Sequence, residues 1–330
     1  MESSIPRWLR SPHLQTIGAA FPLFTSAYAR AKTDDVRIPM PEAPGCFLHA
    51  RAWWQEKRAP MVVILHGIGG SGDSHCCMRA AVALHQAGYH VARLDMRGAG
   101  NSAADVPSLY HAGLTRDLDT TVHFFADDAR VANVLVLGFS GGGSVALKLA
   151  GEWGESAPPF VRGVASVSAP LDYTIVAARM DTLRCLPYRF HVLRSLLERS
   201  RAFAELHPLR AHYRVADLSR IKKFRTYDGE IIAPMHGFDC VDRYYREASS
   251  GPWLAKVRVP TVLVHADDDP MVPGSTVRPW IANASSSVRA HVTPHGGHIG
   301  WLAGVDEEKW IQSWATRRVV DFFDSLSRPS

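Results

Sequence analysis

Apolar positions along the chain fall into two alternating periods. Met61–Leu65, Tyr89–Leu94, Val134–Leu137 and Val161–Val167 are short, nearly unbroken apolar runs. Such runs read as strands buried on both faces of a parallel sheet. Between them, Met78, Val82 and Leu84, and then Leu114, Leu118, Val122 and Phe125, keep the spacing of helices that pack by one face. Asp73 or Ser74 is placed to cap the first of these helices, which ends at Gly88. Asp117 and Asp119 fall in the first turns of the second, predicted over 114–127, where negative charge suits the helix dipole. Arg37–Pro39 and Phe47–Trp54, divided by a turn at Pro41–Gly45, read as edge strands. The order predicts an α/β chain with a mostly parallel, doubly wound sheet and helices on both faces.

The pattern breaks over 171–250. No buried strand is predicted there, but helical spacing at Val192, Leu193, Leu196 and Leu197 and scattered aromatics from Phe190 to Tyr245 are present. This reads as a helical cap inserted over the strand ends, although structural helices on the rim would give the same pattern. The sheet pattern resumes at Pro260–Ala266 and Val288–Thr293. A closing helix is expected over about Glu307–Leu326, carrying Trp310, Trp314, Val319, Phe322 and Phe323. Residues 1–35 have no clear period, and Trp8, Leu9, Leu14, Ile17 and Phe21 predict a segment packed onto the domain. The expected organisation is therefore an N-terminal segment (1–35), a core from 36–170 and 251–330, and a cap over 171–250.

With 330 residues, 46% hydrophobic and 21% charged, the chain fits one large globular domain with an insertion. No apolar run reaches the roughly 18 residues of a membrane span, and the first residues lack the order of a signal peptide. The five cysteines are odd in number and form no Cys-x-x-Cys pair, which fits a reduced, cytoplasmic protein. The net charge of +5 comes from scattered Lys and Arg, densest at Arg189–Arg201 and Arg210–Arg225. A solvated basic face is favoured over a nucleic-acid partner; a peripheral membrane contact would form at Trp8-Leu9-Arg10 or on the basic cap. Sixteen histidines show neither His-Glu-x-x-His nor a spaced Cys/His set, so no metal and no cofactor is assigned. Oligomeric state is left unassigned.

The chemistry centres on Gly138-Phe139-Ser140-Gly141-Gly142, between the run ending at Leu137 and an Ala/Leu-rich helical pattern from Ser144. Strand, Gly-x-Ser-x-Gly, helix is the nucleophile elbow of an α/β-hydrolase. It would project Ser140 at a helix N-terminus, where developing negative charge is favoured. His66-Gly67-Ile68-Gly69-Gly70, after Met61–Leu65, is the expected oxyanion loop, with backbone N–H donors assigned to Ile68 and Gly141. In this fold the nucleophile is followed in the chain by an acid and then a histidine. His298 is the assigned base, since Gly296-Gly297 let the loop carry its ring inward; His295 is the rival. Asp269, in an Asp-x-x-Val-Pro pattern with Val272 and Pro273, is the assigned acid, ahead of Asp268 and Asp267. Serine at the elbow argues against a carboxylate nucleophile.

The chain resembles the YheT-type α/β-hydrolases, a group of bacterial esterases and the related eukaryotic ABHD lipases. The likeness runs over nearly the whole length. It rests on Pro12-His13-Leu14-Gln15-Thr16-Ile17, the His66–Ser71 loop, the elbow, Ala233-Pro234-Met235-His236-Gly237-Phe238 with Tyr244-Tyr245, His265–Pro270 and Gly296–Gly300. Asp95–Gly100 and His75-Cys76-Cys77 depart from the group's pattern. The resemblance implies a carboxylic-ester hydrolase with Ser140, Asp269 and His298 as its triad, acting on short- to medium-chain acyl esters, acylglycerols or phospholipid-like lipids. Two other readings compete with it: an acyltransferase using the same acyl-enzyme, and a binding protein that kept the fold without turnover.

Overall fold

The computed structural model describes residues 10–20, 32–305 and 311–327. Among these, eight strands form one sheet. β1 (Asp34–Pro39) and β2 (Phe47–Trp53) are an antiparallel pair at one edge. β3 is Ala59–Leu65, β4 His90–Asp95, β5 Val131–Phe139, β6 Val161–Val167, β7 Thr261–Ala266 and β8 Val288–Thr293. The spatial order is β1-β2-β4-β3-β5-β6-β7-β8, antiparallel as far as β4 and parallel beyond it.

The unbroken apolar runs follow from helices on both sides. Met61, Val63 and Leu65 of β3 face α3 (Arg116–Ala126) and α4 (Gly141–Trp153), meeting Leu118, Val122, Phe125 and Val145. Val62 and Ile64 point the other way, toward α2 (His75–Gln86) and α9 (Trp314–Ser327), meeting Cys77, Leu84, Val319 and Phe323. Strand alternation thus supplies two cores from one run. All five cysteines are free. Among the described residues no helix is long and apolar enough to cross a membrane.

Between β6 and β7 the chain is helical. α5 (Tyr173–Met180), α6 (Leu186–Leu206) and α7 (Val241–Ala248) bury Leu193, Leu196, Phe203, Tyr244 and Tyr245 in a third cluster shared with Leu147 of α4, Leu171 after β6 and Leu263 of β7. Hydrogen bonds tie this segment to the loop after β4, among them His236 Nε2 to the Leu109 carbonyl at 2.7 Å, and the Ala112 N–H to the Tyr244 hydroxyl at 3.0 Å. α8 (Gly274–Ile281) joins β7 to β8.

Several local expectations are corrected. Ser74 occupies the N-cap position of α2 but makes no capping bond, because its hydroxyl accepts the Ser71 N–H instead. Asp117 and Asp119 do fall in the first turn of α3, and Asp117 is buried there and pairs with Arg97. The closing helix starts at Trp314, because Ile311–Ser313 (β10) pairs antiparallel with Leu302–Val305 (β9). Glu307 and Trp310 lie outside the described residues. So do Trp8, Leu9 and Phe21 of the N-terminal segment. Leu14 and Ile17, on α1 (Pro12–Ala20), are about half exposed at 52% and 47%. Among the contacts of α1 with the rest of the chain is that of Gln15, whose side-chain oxygen accepts the Leu302 N–H at 2.7 Å.

Candidate active site

The two central strands, β3 and β5, pair with Ile64 opposite Leu137 and Leu65 opposite Gly138, so both loops at their carboxyl ends open at one place. This is where ligands meet open parallel sheets. Ser140 sits between β5 and α4 with φ 50° and ψ −121°, a strained conformation for a residue with a side chain. It persists because the chain around it leaves no alternative. A Cβ on Gly138 would lie 2.3 Å from the Gly142 carbonyl oxygen, and one on Gly142 would lie 2.5 Å from that of His66. The Ser140 N–H donates to the Val167 carbonyl at 2.8 Å, so neighbouring β6 fixes the elbow too.

His298 reaches this serine from the loop after β8. Its Nε2 lies 2.9 Å from Ser140 Oγ, and its Nδ1 lies 2.7 Å from Asp269 Oδ2. The carboxylate selects the tautomer with the proton on Nδ1 and leaves Nε2 to accept from the hydroxyl. Asp269 is buried, and its other oxygen accepts the N–H groups of Met271 and Val272 at 2.9 and 2.8 Å. Burial works against its charge. His298, His265 and the Val272 N–H together outweigh that and hold the carboxyl below its ordinary range.

The other two aspartates have other partners. Asp268 bonds His295 Nδ1 at 3.1 Å and accepts the Gly297 N–H at 2.9 Å, so the rival pair braces the turn that leads to His298. Asp267 pairs with Arg278 at 2.8 Å. From the far end of the chain, the His298 N–H donates to Thr16 Oγ1 at 2.9 Å, and Thr16 in turn donates to the Pro12 carbonyl. A Cβ on Gly297, which has φ +60°, would meet that same carbonyl at 2.6 Å. Thr16 and Gln15 are contacts of the loop carrying His298 that spacing could not assign. Their only trace in the sequence is the His13–Ile17 segment, far from the elbow.

The N–H groups of Ile68 and Gly141 donate to no protein acceptor among the described residues. A Cβ on Gly141 would lie 3.2 Å from Ile68 N and 2.6 Å from its Cγ1, so the two peptides converge beside Ser140. His66 anchors the loop from behind: Nδ1–H donates to the Gly67 carbonyl at 2.8 Å and Nε2 accepts the Met96 N–H at 3.4 Å. Burial, with the nearby Arg199 charge, lowers the His66 pKa to about 3, so the ring stays neutral and keeps both roles. Gly69 donates its N–H to the Tyr110 hydroxyl at 2.6 Å. The arrangement offers a nucleophile with a general base, an oriented acid and two free donors. Among the described residues no group of three or more His, Cys, Asp or Glu could hold a metal ion.

Known proteins share this architecture. The YheT protein of Escherichia coli (strain K12) is 26% identical over 262 residues, covering 78% of this chain and 76% of its own. A monoacylglycerol lipase of Saccharomyces cerevisiae is 27% identical over 274 residues, covering 81% of this chain and 60% of its own. The solved structure of a Pyrococcus furiosus esterase superposes with a TM-score of 0.58 at 19% identity, covering 92% of this chain and 95% of its own. The profile of the α/β hydrolase fold matches residues 60–304, from the start of β3 to β9. The chain belongs to the α/β hydrolase fold family.

Proposed function

We propose that the protein hydrolyses carboxylic esters through an acyl-enzyme on Ser140. The observation that carries this reading is the continuous chain Asp269–His298–Ser140, at 2.7 and 2.9 Å, beside two converging unpaired N–H groups. In this mechanism His298 Nε2 takes the hydroxyl proton as Ser140 Oγ attacks the ester carbonyl. Asp269 stays ionised and stabilises the imidazolium. The carbonyl oxygen becomes an oxyanion that accepts from Ile68 and Gly141 N–H. His298 then returns the proton to the leaving alcohol. A water molecule, deprotonated by the same nitrogen, attacks the acyl-enzyme and frees the acid and Ser140.

The helical segment 171–250 acts as a cap that shapes the acyl pocket and limits water. Its aromatic and apolar cluster supports this role. The name of the yeast relative, monoacylglycerol lipase, supports an acylglycerol-type ester, and a short or medium acyl chain is part of the proposal. The five unpaired thiols support a cytoplasmic setting.

The test is hydrolysis of p-nitrophenyl acetate, butyrate, octanoate and palmitate by the wild type and by Ser140→Ala. Turnover that falls about 10⁴-fold or more in the variant is expected, with an optimum at butyrate or octanoate. Undiminished hydrolysis by Ser140→Ala would overturn the reading. Transfer of the acyl group to added glycerol in preference to water would replace hydrolase by acyltransferase.

A further inference from the structure

The oxyanion loop is held from above by the cap. Helix α6 crosses Gly69, whose φ of +76° turns its bare α-carbon toward the helix. A Cβ there would meet the Val192 carbonyl oxygen at 3.4 Å and Ser195 Cβ at 3.5 Å. Two side chains one turn apart on α6 then bond the loop's backbone. Ser195 Oγ donates to the Gly69 carbonyl at 2.6 Å. Arg199 Nη2 donates to the carbonyls of Gly69 and Gly70 at 3.0 and 2.7 Å, and Nη1 reaches the Gly98 carbonyl at 3.5 Å. No carboxylate pairs with Arg199 among the described residues, and its buried Nε has no partner. The guanidinium is therefore committed to the carbonyls of two loops beside the site. A half-buried guanidinium whose Nη groups are spent on loop carbonyls rather than on a carboxylate is more than simple adhesion of a helix needs, which apolar contacts achieve without it.

The bonded peptides adjoin Ile68, the proposed oxyanion donor. Tyr110 fixes the Gly69 N–H from the core side at 2.6 Å, while Ser195 and Arg199 fix the following two carbonyls from the cap side. A loop with glycines at 67, 69 and 70 has little stiffness of its own. Its donor is worth most when it is held still before the charge develops. We propose that Arg199 and Ser195 are positioning residues of the cap that preorganise the oxyanion loop, so that the donors are in place only when the cap is seated. The proposal rests on the Ser140 hydrolase reading. It adds a second role for the cap beyond shaping the pocket.

The experiment compares Arg199→Met, Arg199→Lys and Ser195→Ala with the wild type and Ser140→Ala. The readouts are kcat and KM for p-nitrophenyl butyrate and the rate of inactivation by a fluorophosphonate. Phosphonylation of Ser140 develops negative oxygen in the same hole, so its rate reads the hole without turnover. Arg199→Met is expected to lower kcat about 10- to 100-fold with KM within about threefold, and to slow phosphonylation by a similar factor. Arg199→Lys should recover part of both, since an ammonium still reaches one carbonyl. Ser195→Ala should lower kcat about 3- to 10-fold with the same split.

A folded Arg199→Met with wild-type kcat and phosphonylation rate overturns the proposal. So does a loss confined to KM. If Arg199→Met does not fold, Ser195→Ala, which deletes one hydroxyl, decides by the same criterion. The parallel Ser140→Ala arm separates the two claims. Retained turnover there defeats the hydrolase reading, whereas a silent Ser140→Ala beside unaffected α6 variants defeats the positioning role alone.

Discussion

Asp267, Asp268 and Asp269 show how much one position along a backbone decides. Their side chains are chemically identical, yet one pairs with Arg278, one braces the His295–Gly297 turn, and one meets His298. Asp269→Asn should lower kcat by about 10³- to 10⁴-fold, because an amide no longer enforces the Nδ1–H tautomer or stabilises the imidazolium. Asp268→Asn should cost only about 10-fold, through a looser turn. Steady-state kinetics on the two variants checks the order, and a larger loss for Asp268→Asn would reverse the assignment. The Gly-x-Ser-x-Gly spacing made Ser140 legible in the sequence because local geometry demands those glycines. The preference among the aspartates rested on the Asp-x-x-Val-Pro pattern and on the family-like spacing to His298; the pattern's physical content is visible in the structure, where the N–H groups of Met271 and Val272 turn back onto the carboxylate. The support of His298 by Thr16 was not legible, since 282 residues separate the partners and no local period encodes such a contact.

At the scale of elements, the strands were read well where both faces are buried. Met61–Leu65 lies within β3, and Val161–Val167 coincides with β6. The end of the chain was read less well. Trp310 and Trp314 fit a helical period, but the helix begins only at Trp314, after a short hairpin whose pairing is tertiary. Close backbone approach sets another element-scale demand. Gly142 lies where α4 leaves the elbow, and an added Cβ would meet the His66 oxygen at 2.5 Å and Leu65 Cβ at 2.8 Å. Gly142→Ala should therefore destabilise the fold by about 1–3 kcal/mol and displace the oxyanion loop. Urea unfolding together with kcat checks this, and a variant with wild-type stability and kcat would show that the elbow has slack.

For the whole molecule, a carboxyl inside the helical segment 171–250 makes stability depend on pH. Asp228 opens a π-helical turn in that segment and accepts a hydrogen bond from Tyr245 at 2.7 Å. Burial, opposed only in part by that bond, pushes its carboxyl up to about 7. A group whose folded pKa is raised holds its proton more tightly when folded. Its stabilising effect is full below the ordinary value, 3.8, and is lost as pH rises through about 7. Asp228→Asn, which cannot ionise, should therefore remove a fall in stability across that window. Thermal unfolding of both proteins from pH 4 to 8 checks the sign; a wild type that gains stability relative to the variant as pH rises would contradict it. The helical stretch between β6 and β7 was legible as a break in the strand pattern. The bonds from Arg199 to the Gly69 and Gly70 carbonyls were not, because Arg199 sits in a basic stretch that reads as solvated surface.

The central claim is that Ser140 carries the acyl group. The most direct measurement is intact-protein mass spectrometry after mixing with p-nitrophenyl butyrate and rapid acid quench, followed by peptide mapping. One butyryl group per chain, on the peptide containing Ser140 and absent from Ser140→Ala, is the result the account predicts. Turnover of the ester with no adduct at Ser140, or with an adduct on another side chain, would contradict it.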